Sequence, residues 1–539
     1  MSVARPVEAS RVSAVAGARP TVQAAGLCQR AGGTPLLHGI SFTLRAGELV
    51  AILGPSGAGK SLLIELLAGA ARPAGGSLRL FGRDDQAVRA RVGYVPQGEV
   101  VHEALTVREA LVSTLRLRAP ALAASATLLE ARLARVADRL GLAHRLGTRI
   151  QRMSGGERRR VSLALELVTD PDLLILDEVT SGLDAAAERR VMETLRQLAD
   201  EGLTIVCTTH TLETAHLFDR ALVLQGGRLV FDGAPAAAVR RFGLERLPDL
   251  YARLAERPAE AWEAERRPEA AAAAGFAAEP AAALRARVEL PGPRGLYQLP
   301  TLVARQLKVT ARDGLGLLLI LVQAPIIAAL VAFAYDAGTP RGRAETGFKL
   351  AISAIWLGCI STCQDLVKER AIYRRERLAG LSPHAYLVAK LGVGLLLVSA
   401  QALLLVGALY ALQPLSEPPL VVGGLLCCAA AAGGALGLLI SSAVSTRTAA
   451  VGLTPLVLVP QILFVGTLEP LRGLAAQVGR LMPSHWANEG VRAVLLDGAG
   501  FPLGEAALLG CFALVFSLVA WGLLQARDTL SPNCARSGS

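Results

Sequence analysis

The sequence predicts two fold classes in series: an α/β domain with an inserted helical subdomain, then an all-α transmembrane domain of about six helices. Three observations predict this. Gly54-Pro55-Ser56-Gly57-Ala58-Gly59-Lys60-Ser61 is a complete phosphate loop between an apolar run and a helix-like stretch. Leu173-Leu174-Ile175-Leu176 is a second apolar run, and it ends in Asp177-Glu178. After Gly314 come six apolar runs centred near Pro325, Trp356, Leu397, Ala431, Leu456 and Leu514. Each approaches the ~20 apolar residues that a membrane-spanning helix needs.

Composition agrees. At 539 residues the chain is too long for one ordinary domain. An apolar fraction of 52% and a mean hydropathy of +0.43 read as the average of a soluble part and a membrane part. The formal charge of +11 is spread thinly, with no lysine-rich tail and no basic helix interleaved with aromatics. That argues against nucleic acid and leaves membrane lipid as the acidic partner. The eight cysteines form no metal-ligand pattern. Cys359 and Cys363 share one helix face, and Cys427-Cys428 sit in another apolar run, so they read as small hydrophobes. Arg5, Glu8 and Arg11 break up the N-terminus, which does not read as a cleaved signal peptide.

Along the chain, residues 1–20 are small and polar and are expected to be disordered. Residues 40–44 and 48–53 read as strands, the second apolar throughout as a buried sheet requires. The phosphate loop turns the chain, residues 62–68 continue as a helix, and Gly69 stops it. Leu129, Leu133, Val136 and Leu140 fall at helical spacing before Gly141, in the inserted helical subdomain. Residues 173–176 and 204–208 are two more buried strands. Residues 222–225, Gly226-Gly227 and residues 228–231 form a hairpin on a two-glycine turn, closing a domain at residues 21–243. Residues 244–300 turn to Ala, Glu, Arg and Pro, as a linker with some helix would. Residues 299–313 are amphipathic, and Arg305, Lys308 and Arg312 suit a cytoplasmic membrane surface. The membrane domain occupies residues 301–530, with a tail at 531–539. Its connector at residues 368–377 is dense in Lys and Arg and faces the cytoplasm under the positive-inside rule. With six spans both termini are then cytoplasmic, and the loop at residues 469–503 is external.

The chemistry follows from residue types at these places. Glycines let backbone N–H groups wrap phosphates without a Cβ in the way, and the helix starting near Lys60 adds its positive dipole end. Lys60 is placed to reach the β- and γ-phosphates, and Ser61 to ligate Mg²⁺. Asp177 ends a buried strand and is placed to hold Mg²⁺ through water, because magnesium keeps several waters and few protein ligands. Glu178 beside it is placed to polarise an attacking water. Gln97 and His210 are each weak signals alone. In an α/β sheet, however, ligand groups gather at the carboxyl ends of strands, where His210 can contact the γ-phosphate. Ser154-Gly155-Gly156 precedes a helix at residues 157–167, whose N-terminus can receive anionic oxygens; Ser154 is equally an ordinary N-cap. Arg158-Arg159-Arg160 reads as a solvated turn, or as a contact with linker or lipid, since positive charge at a helix N-terminus is mildly unfavourable. In the spans, Gln323, Gln401 and Gln461 suit either an amphipathic cargo or interhelical hydrogen bonds. Pro325, Pro455 and Pro460 suit helix kinks. Gly433 and Gly437 have close-packing spacing.

Together, residues 54–61, Gln97, Ser154-Gly155-Gly156-Glu157, Asp177-Glu178, Ser181-Gly182-Leu183-Asp184 and His210 resemble the ATP-binding domain of ABC transporters in order and spacing. The ATP domain comes first, and Glu157 stands where the commoner signature has Gln. Both features resemble the G-type (White-type) half-transporters and their bacterial relatives. So do Lys368-Glu369-Arg370 with Tyr373-Arg374-Arg375-Glu376-Arg377, Tyr386 and Lys390, and the external Pro483-Ser484-His485-Trp486.

The resemblance implies an ABC-type P-loop fold that uses ATP and Mg²⁺. It makes Glu178 the catalytic glutamate, His210 the switch histidine and Asp177 the Mg²⁺ aspartate, with Gln97 sensing Mg²⁺ and coupling. Ser154, Gly155, Gly156 and Glu157 form the signature that binds the partner subunit's ATP, and Asp184 communicates across the dimer. The chain departs from many relatives at Ala31, where they stack an aromatic on adenine. Base recognition is then loose. The external loop has no cysteine, so no disulfide-linked dimer is expected. The implied activity is ATP hydrolysis driving export of a hydrophobic or amphipathic lipid or drug-like substrate. The implied assembly is a homodimer, or a pair with a paralogous half-transporter, in a bacterial cytoplasmic (inner) membrane. The alternative is a membrane-anchored ATPase that transmits force or signals without moving a substrate. A soluble P-loop kinase or GTPase fails on the six apolar runs and on Ser154-Gly155-Gly156.

Overall fold

The structure is a computed structural model that describes residues 20–31, 33–84, 86–182, 184–209, 212–266, 295–465 and 472–530. The expected disordered N-terminus apart from Pro20, the tail at 531–539 and residues 267–294 of the expected linker lie outside the described residues. The chain divides into two compact units. The first takes the chain up to Pro293 together with Arg374–Leu381, and the second comprises Arg294–Tyr373 and Ser382–Thr529.

The first unit begins with β1 (Pro20–Ala31), β2 (Thr34–Arg45) and β3 (Leu49–Leu53), followed by α1 (Lys60–Ala68), β4 (Gly75–Leu80) and β5 (Val92–Val95). The helical subdomain follows as α2 (Val107–Arg118), α3 (Pro120–Ala124) and α4 (Ala126–Arg139). The chain then returns through α5 (Gly155–Leu167), β6 (Leu173–Leu176), α6 (Ala185–Asp200), β7 (Thr204–Thr208), β8 (Arg220–Gln225) and β9 (Arg228–Gly233). A six-stranded sheet runs β5-β6-β7-β3-β8-β9, and a smaller antiparallel sheet runs β2-β1-β4. Strands β3, β6 and β7 are buried along their whole length; β3 and β6 are apolar throughout, and β7 has an apolar centre between Thr204 and Thr208.

Register is what builds the site. Val95 pairs with Leu176, Leu176 with Cys207, and Ile52 with Thr208, all in parallel. The residues that follow β3, β5, β6 and β7 therefore leave the sheet along one edge. On the far side of β8, Gly226 (φ 52°) and Gly227 (φ 75°) make the hairpin turn with both central residues left-handed, as a type I′ turn requires.

Part of the stretch expected as a linker is ordered. After α7 (Pro235–Phe242) come α8 (Leu250–Ala255) and α9 (Ala259–Ala264). Trp262 is buried, meets Phe242 edge-on at 5.1 Å between ring centroids, and carries the Arg257 guanidinium 4.5 Å from its centroid. Arg228 of β9 pairs with Glu260 at 3.1 Å and with Glu263 at 2.7 Å. One tryptophan anchors a stretch that average composition describes as linker.

The second unit is helical: α10 (Leu299–Arg312), α11 (Gly314–Ala334), α12 (Pro340–Thr362), α13 (Arg370–Leu378, shared with the first unit), α14 (Pro383–Leu412) and α15 (Pro419–Ala443). It ends with α16 (Arg447–Leu463), α17 (Leu474–Arg480), α18 (Pro483–Leu495) and α19 (Leu503–Leu530). Each of the six predicted run centres falls in its own helix: α11, α12, α14, α15, α16 and α19. Among the described residues four of these, α11, α14, α15 and α19, are long and apolar enough to cross a membrane. Helix α16 has 17 residues, and α12 opens with Arg341, Arg343, Glu345 and Lys349, which lower its hydropathy.

Helices α12 and α15 approach closely. A Cβ on Gly433 would lie 2.2 Å from the Ile355 carbonyl oxygen, and one on Gly437 2.2 Å from Thr362 Oγ1. Thr362 Oγ1 donates across to the Gly434 carbonyl at 2.7 Å. Gln401 accepts from Ser361 at 2.9 Å and donates to the Ile320 carbonyl at 2.7 Å, the interhelical role of the two that were open. Arg305 does not lie on a surface. It is buried, with Glu369 close enough to act on it electrostatically, and Glu369 pairs with Lys390 at 2.7 Å. An acid two helices further along the chain supplies the partner that the helix's own pattern does not reveal.

Candidate active site

The phosphate loop leaves β3 at Gly54. A Cβ there would sit 2.2 Å from the Leu224 carbonyl oxygen, so the loop passes β8 at a distance only glycine allows. At Gly59 (φ 94°) a Cβ would lie 2.6 Å from Leu37 Cδ2. Gly59 is also the N-cap of α1 and supplies no side-chain cap, so no side chain of the cap residue competes for the first-turn N–H groups. Lys60, 7% exposed, donates from Nζ to the Gly54 carbonyl at 2.7 Å and the Pro55 carbonyl at 2.9 Å. Burial lowers its pKa, against the opposing pull of Glu178 and Asp177.

Asp177, 5% exposed, follows β6 and accepts from Thr208 Oγ1 at 2.8 Å; the Ser61 hydroxyl bonds it as well. Desolvation raises its carboxyl above the ordinary range; the hydrogen bonds and Lys60 oppose this, while the neighbouring Glu178 adds to it. Glu178 donates its backbone N–H to the same Thr208 Oγ1 at 2.8 Å, and its Oε2 accepts from Gln97 Nε2 at 2.7 Å. Its φ of 51° lies in the left-handed region, uncommon for a residue with a Cβ. Lys60, Ser61, Gln97, Asp177 and Glu178 thus gather at the strand ends. A buried carboxylate beside a hydroxyl, next to glycine N–H groups and an ammonium, fits a magnesium–phosphate group: hard oxygen donors for the cation, donors and positive charge for the anion.

Ser154 caps α5 in a reciprocal box. Its Oγ accepts the Glu157 N–H at 3.3 Å, and Glu157 Oε2 accepts the Ser154 N–H at 2.9 Å and its hydroxyl at 3.2 Å. Glu157 Oε1 pairs with Arg145 at 2.9 Å. Ser154 and Gly155 are exposed. Asp184 caps α6, accepting the Ala187 N–H at 2.8 Å. His210 and Leu183 lie outside the described residues, as does the side chain of Ala31.

The three arginines after the signature are half-buried, and each has a partner within the first unit. Arg158 pairs with Glu99 at 3.0 Å and donates to the Met153 carbonyl at 3.1 Å. Arg159 donates from Nη1 to the carbonyls of Glu178 at 3.1 Å and Val179 at 3.4 Å. Arg160 donates to the Leu140 carbonyl at 3.1 Å. Loop carbonyls and acids beside α5 outweigh the mildly unfavourable helix dipole at these positions. Thr208 is the other residue the sequence reading missed. Its only signal was a hydroxyl at the end of a buried apolar strand.

Within the same unit Arg375 is buried and donates to the Val100 carbonyl, and its Nε lies 3.8 Å from Glu166 Oε1. Glu166, on α5, also accepts from Arg118 at 2.7 Å and from the Tyr94 N–H at 3.3 Å.

The chain matches two family descriptions: ABC transporter over residues 37–181 and ABC-2 type transporter over residues 297–496. An ABC transporter ATP-binding/permease protein of Mycobacterium tuberculosis is 34% identical over 482 residues, 84% of this chain, and the chain spans 55% of that protein's length. The Nod factor export ATP-binding protein I of Rhizobium meliloti is 37% identical over 230 residues, covering 41% of this chain and 68% of that protein. A solved ATP-binding subunit of an ABC transporter, 28% identical, covers 44% of this chain and 99% of its own with a TM-score of 0.40.

Proposed function

The chain belongs to the ABC transporter family, with an ATP-hydrolysing domain joined to an ABC-2 type membrane domain, and from that premise we propose that it is one half of a homodimeric exporter of a hydrophobic or amphipathic substrate. The observation that carries the reading is the cluster at the strand ends, where Lys60, Ser61 and Asp177 sit beside a Glu178 carboxylate held by Gln97. Lys60 and the loop N–H groups would hold phosphate oxygens, and Ser61, Gln97 and Asp177 would hold Mg²⁺, which would supply charge neutralisation for the phosphates. Glu178 polarises the attacking water, and His210 contacts the γ-phosphate.

Support for a dimer comes from the exposed Ser154 and Gly155, which leave the signature open to a second subunit's nucleotide. A nucleotide shared between subunits binds only the closed dimer, and that differential affinity is what shifts the membrane half between its states. Export, rather than import, is favoured by the Nod factor export names of several relatives. The apolar character of α11, α14, α15 and α19 supports residence in a membrane, read here as the cytoplasmic one, and the basic connector at residues 368–377 supports a cytoplasmic ATP domain; the cargo is read as lipid-like or drug-like.

The test uses reconstituted vesicles. Glu178→Gln should lower ATP turnover by roughly 100-fold or more, the range for a general base, and abolish ATP-dependent movement of lipid or drug-like probes. Unchanged turnover would remove Glu178 as the base. A mixed dimer tests the shared site. Ser154→Ala and Lys60→Ala in one subunit should damage both sites, while the same lesions split between subunits should spare one. Equal activity of the two arrangements refutes the shared site.

A further inference from the structure

Glu178 needs something to hold its backbone. At φ 51° a residue with a Cβ is unfavourable, and such a conformation persists only where the surroundings fix it. Two groups do so. Thr208 Oγ1 receives the Glu178 N–H at 2.8 Å. In the next two peptide units, Arg159 Nη1 donates to the carbonyls of Glu178 and Val179 at 3.1 Å and 3.4 Å. The same guanidinium reaches toward the next loop, where a Cβ built on Gly182 would lie 3.8 Å from Arg159 Nη2. A guanidinium offers several donors in a fixed plane, so one side chain can fix successive carbonyls at once.

Arg159 stands on α5, five residues after its N-cap Ser154. The helix is rigid over that distance, so a displacement at Ser154 is carried to the guanidinium. We propose that Arg159 is a positioning residue for Glu178 that ties the signature helix to the hydrolytic carboxylate of the same subunit. The inter-site part of this rests on the reading of Ser154-Gly155-Gly156 as the site of the partner's nucleotide. Each α5 then touches one nucleotide at its N-terminus and, through Arg159, sets the backbone of the glutamate that serves the other. Nucleotide engaged at the signature is felt at Glu178 without any contact between the two sites themselves.

The experiment uses the full-length protein with Arg159→Met, which keeps length and removes every donor, and Arg159→Lys, which keeps charge and a single ammonium. Hydrogen exchange of the amides from Val179 to Gly182, measured without nucleotide, should speed up by about tenfold in Arg159→Met. ATP turnover should fall by about tenfold, the worth of one charge-assisted hydrogen bond, with KM for MgATP changed less than about twofold. Arg159→Lys should recover part of both. Unchanged exchange, unchanged turnover, or a KM that rises in step with the loss overturns the proposal, as does a lysine variant no better than the methionine one.

A mixed dimer separates the two levels. Arg159→Met and Ser154→Ala in one subunit should damage both sites, whereas split between subunits they should fall on one. The opposite ranking, with Ser154 and Lys60 behaving as expected, overturns the Arg159 inference and leaves the shared site standing. Equal activities in both mixed-dimer experiments refute the shared site and with it the inter-site tie; the exchange and turnover results then decide the positioning role within a subunit.

Discussion

Glu157 shows how much one side chain carries at this site. Its carboxylate accepts the Ser154 N–H at 2.9 Å and pairs with Arg145 at 2.9 Å, and these hold its pKa below the ordinary range, the backbone hydrogen bond contributing most. A carboxyl depressed in the folded state stabilises above its unfolded pKa, about 4.3, and that contribution is lost as pH falls through the folded value. Glu157→Gln keeps an acceptor for Ser154 and removes the charge. The variant should match the wild type in stability at acid pH, where the carboxyl is protonated in both states, and fall behind it once pH is above the unfolded pKa, by less than ~1 kcal/mol because the pair is screened by solvent. A gap that widens toward acid pH would contradict this. The motif residues at this scale were legible because loop, carboxylate pair and signature are each contiguous in sequence. Thr208 and Arg159 were not. Their partners, Asp177, Glu178 and Val179, are set by the register of β6 against β7 and by where α5 lies, and no local spacing encodes either.

Among whole elements, the parallel strands were legible for the same reason they matter: burial on both faces demands apolar residues, which fill β3 and β6 and the centre of β7. Short β5, with four residues, and glycine-rich β4 gave no such run. In the membrane unit, the spacing of Gly433 and Gly437 announced a close approach, but its other side, Gly358 and Thr362 on α12, comes from a different helix. A Cβ on Gly358 would lie 2.2 Å from the Ala430 carbonyl oxygen, so the contact is tight from both sides. Gly433→Ala should therefore force α12 and α15 apart and cost about 1–3 kcal/mol, the usual penalty of overpacking. Gly407→Ala on α14, where nothing lies within 4 Å, is the matched control and should be neutral or slightly stabilising. Thermal unfolding of both variants in detergent measures the difference. Equal melting temperatures would mean that α12 and α15 are not locked together.

At the scale of the whole molecule, four parts of the first unit that lie far apart in sequence meet at Glu166. This buried carboxylate, 2% exposed, sits on α5, the helix that Ser154 opens. It accepts from Tyr94 on β5, the strand that leads to Gln97, and it is paired with Arg118 of the helical subdomain. Its second oxygen lies 3.8 Å from Arg375, which also donates to Val100, three residues beyond Gln97. In sequence Arg375 lies between α12 and α14, in the connector whose basic density marked it as cytoplasmic; what density could not mark was the acid it meets. If transport is driven through this group, Arg375→Ala should leave basal ATP turnover within about twofold and remove its stimulation by a transported compound. Glu166→Gln should do more harm, because it leaves the Arg118 guanidinium buried without its counter-charge, a loss on the order of 3–5 kcal/mol. Comparing the two variants separates coupling from folding. A protein that melts like the wild type, hydrolyses ATP and no longer responds to substrate identifies Arg375 as the coupling contact. Retained stimulation in Arg375→Ala would place the coupling elsewhere in the connector.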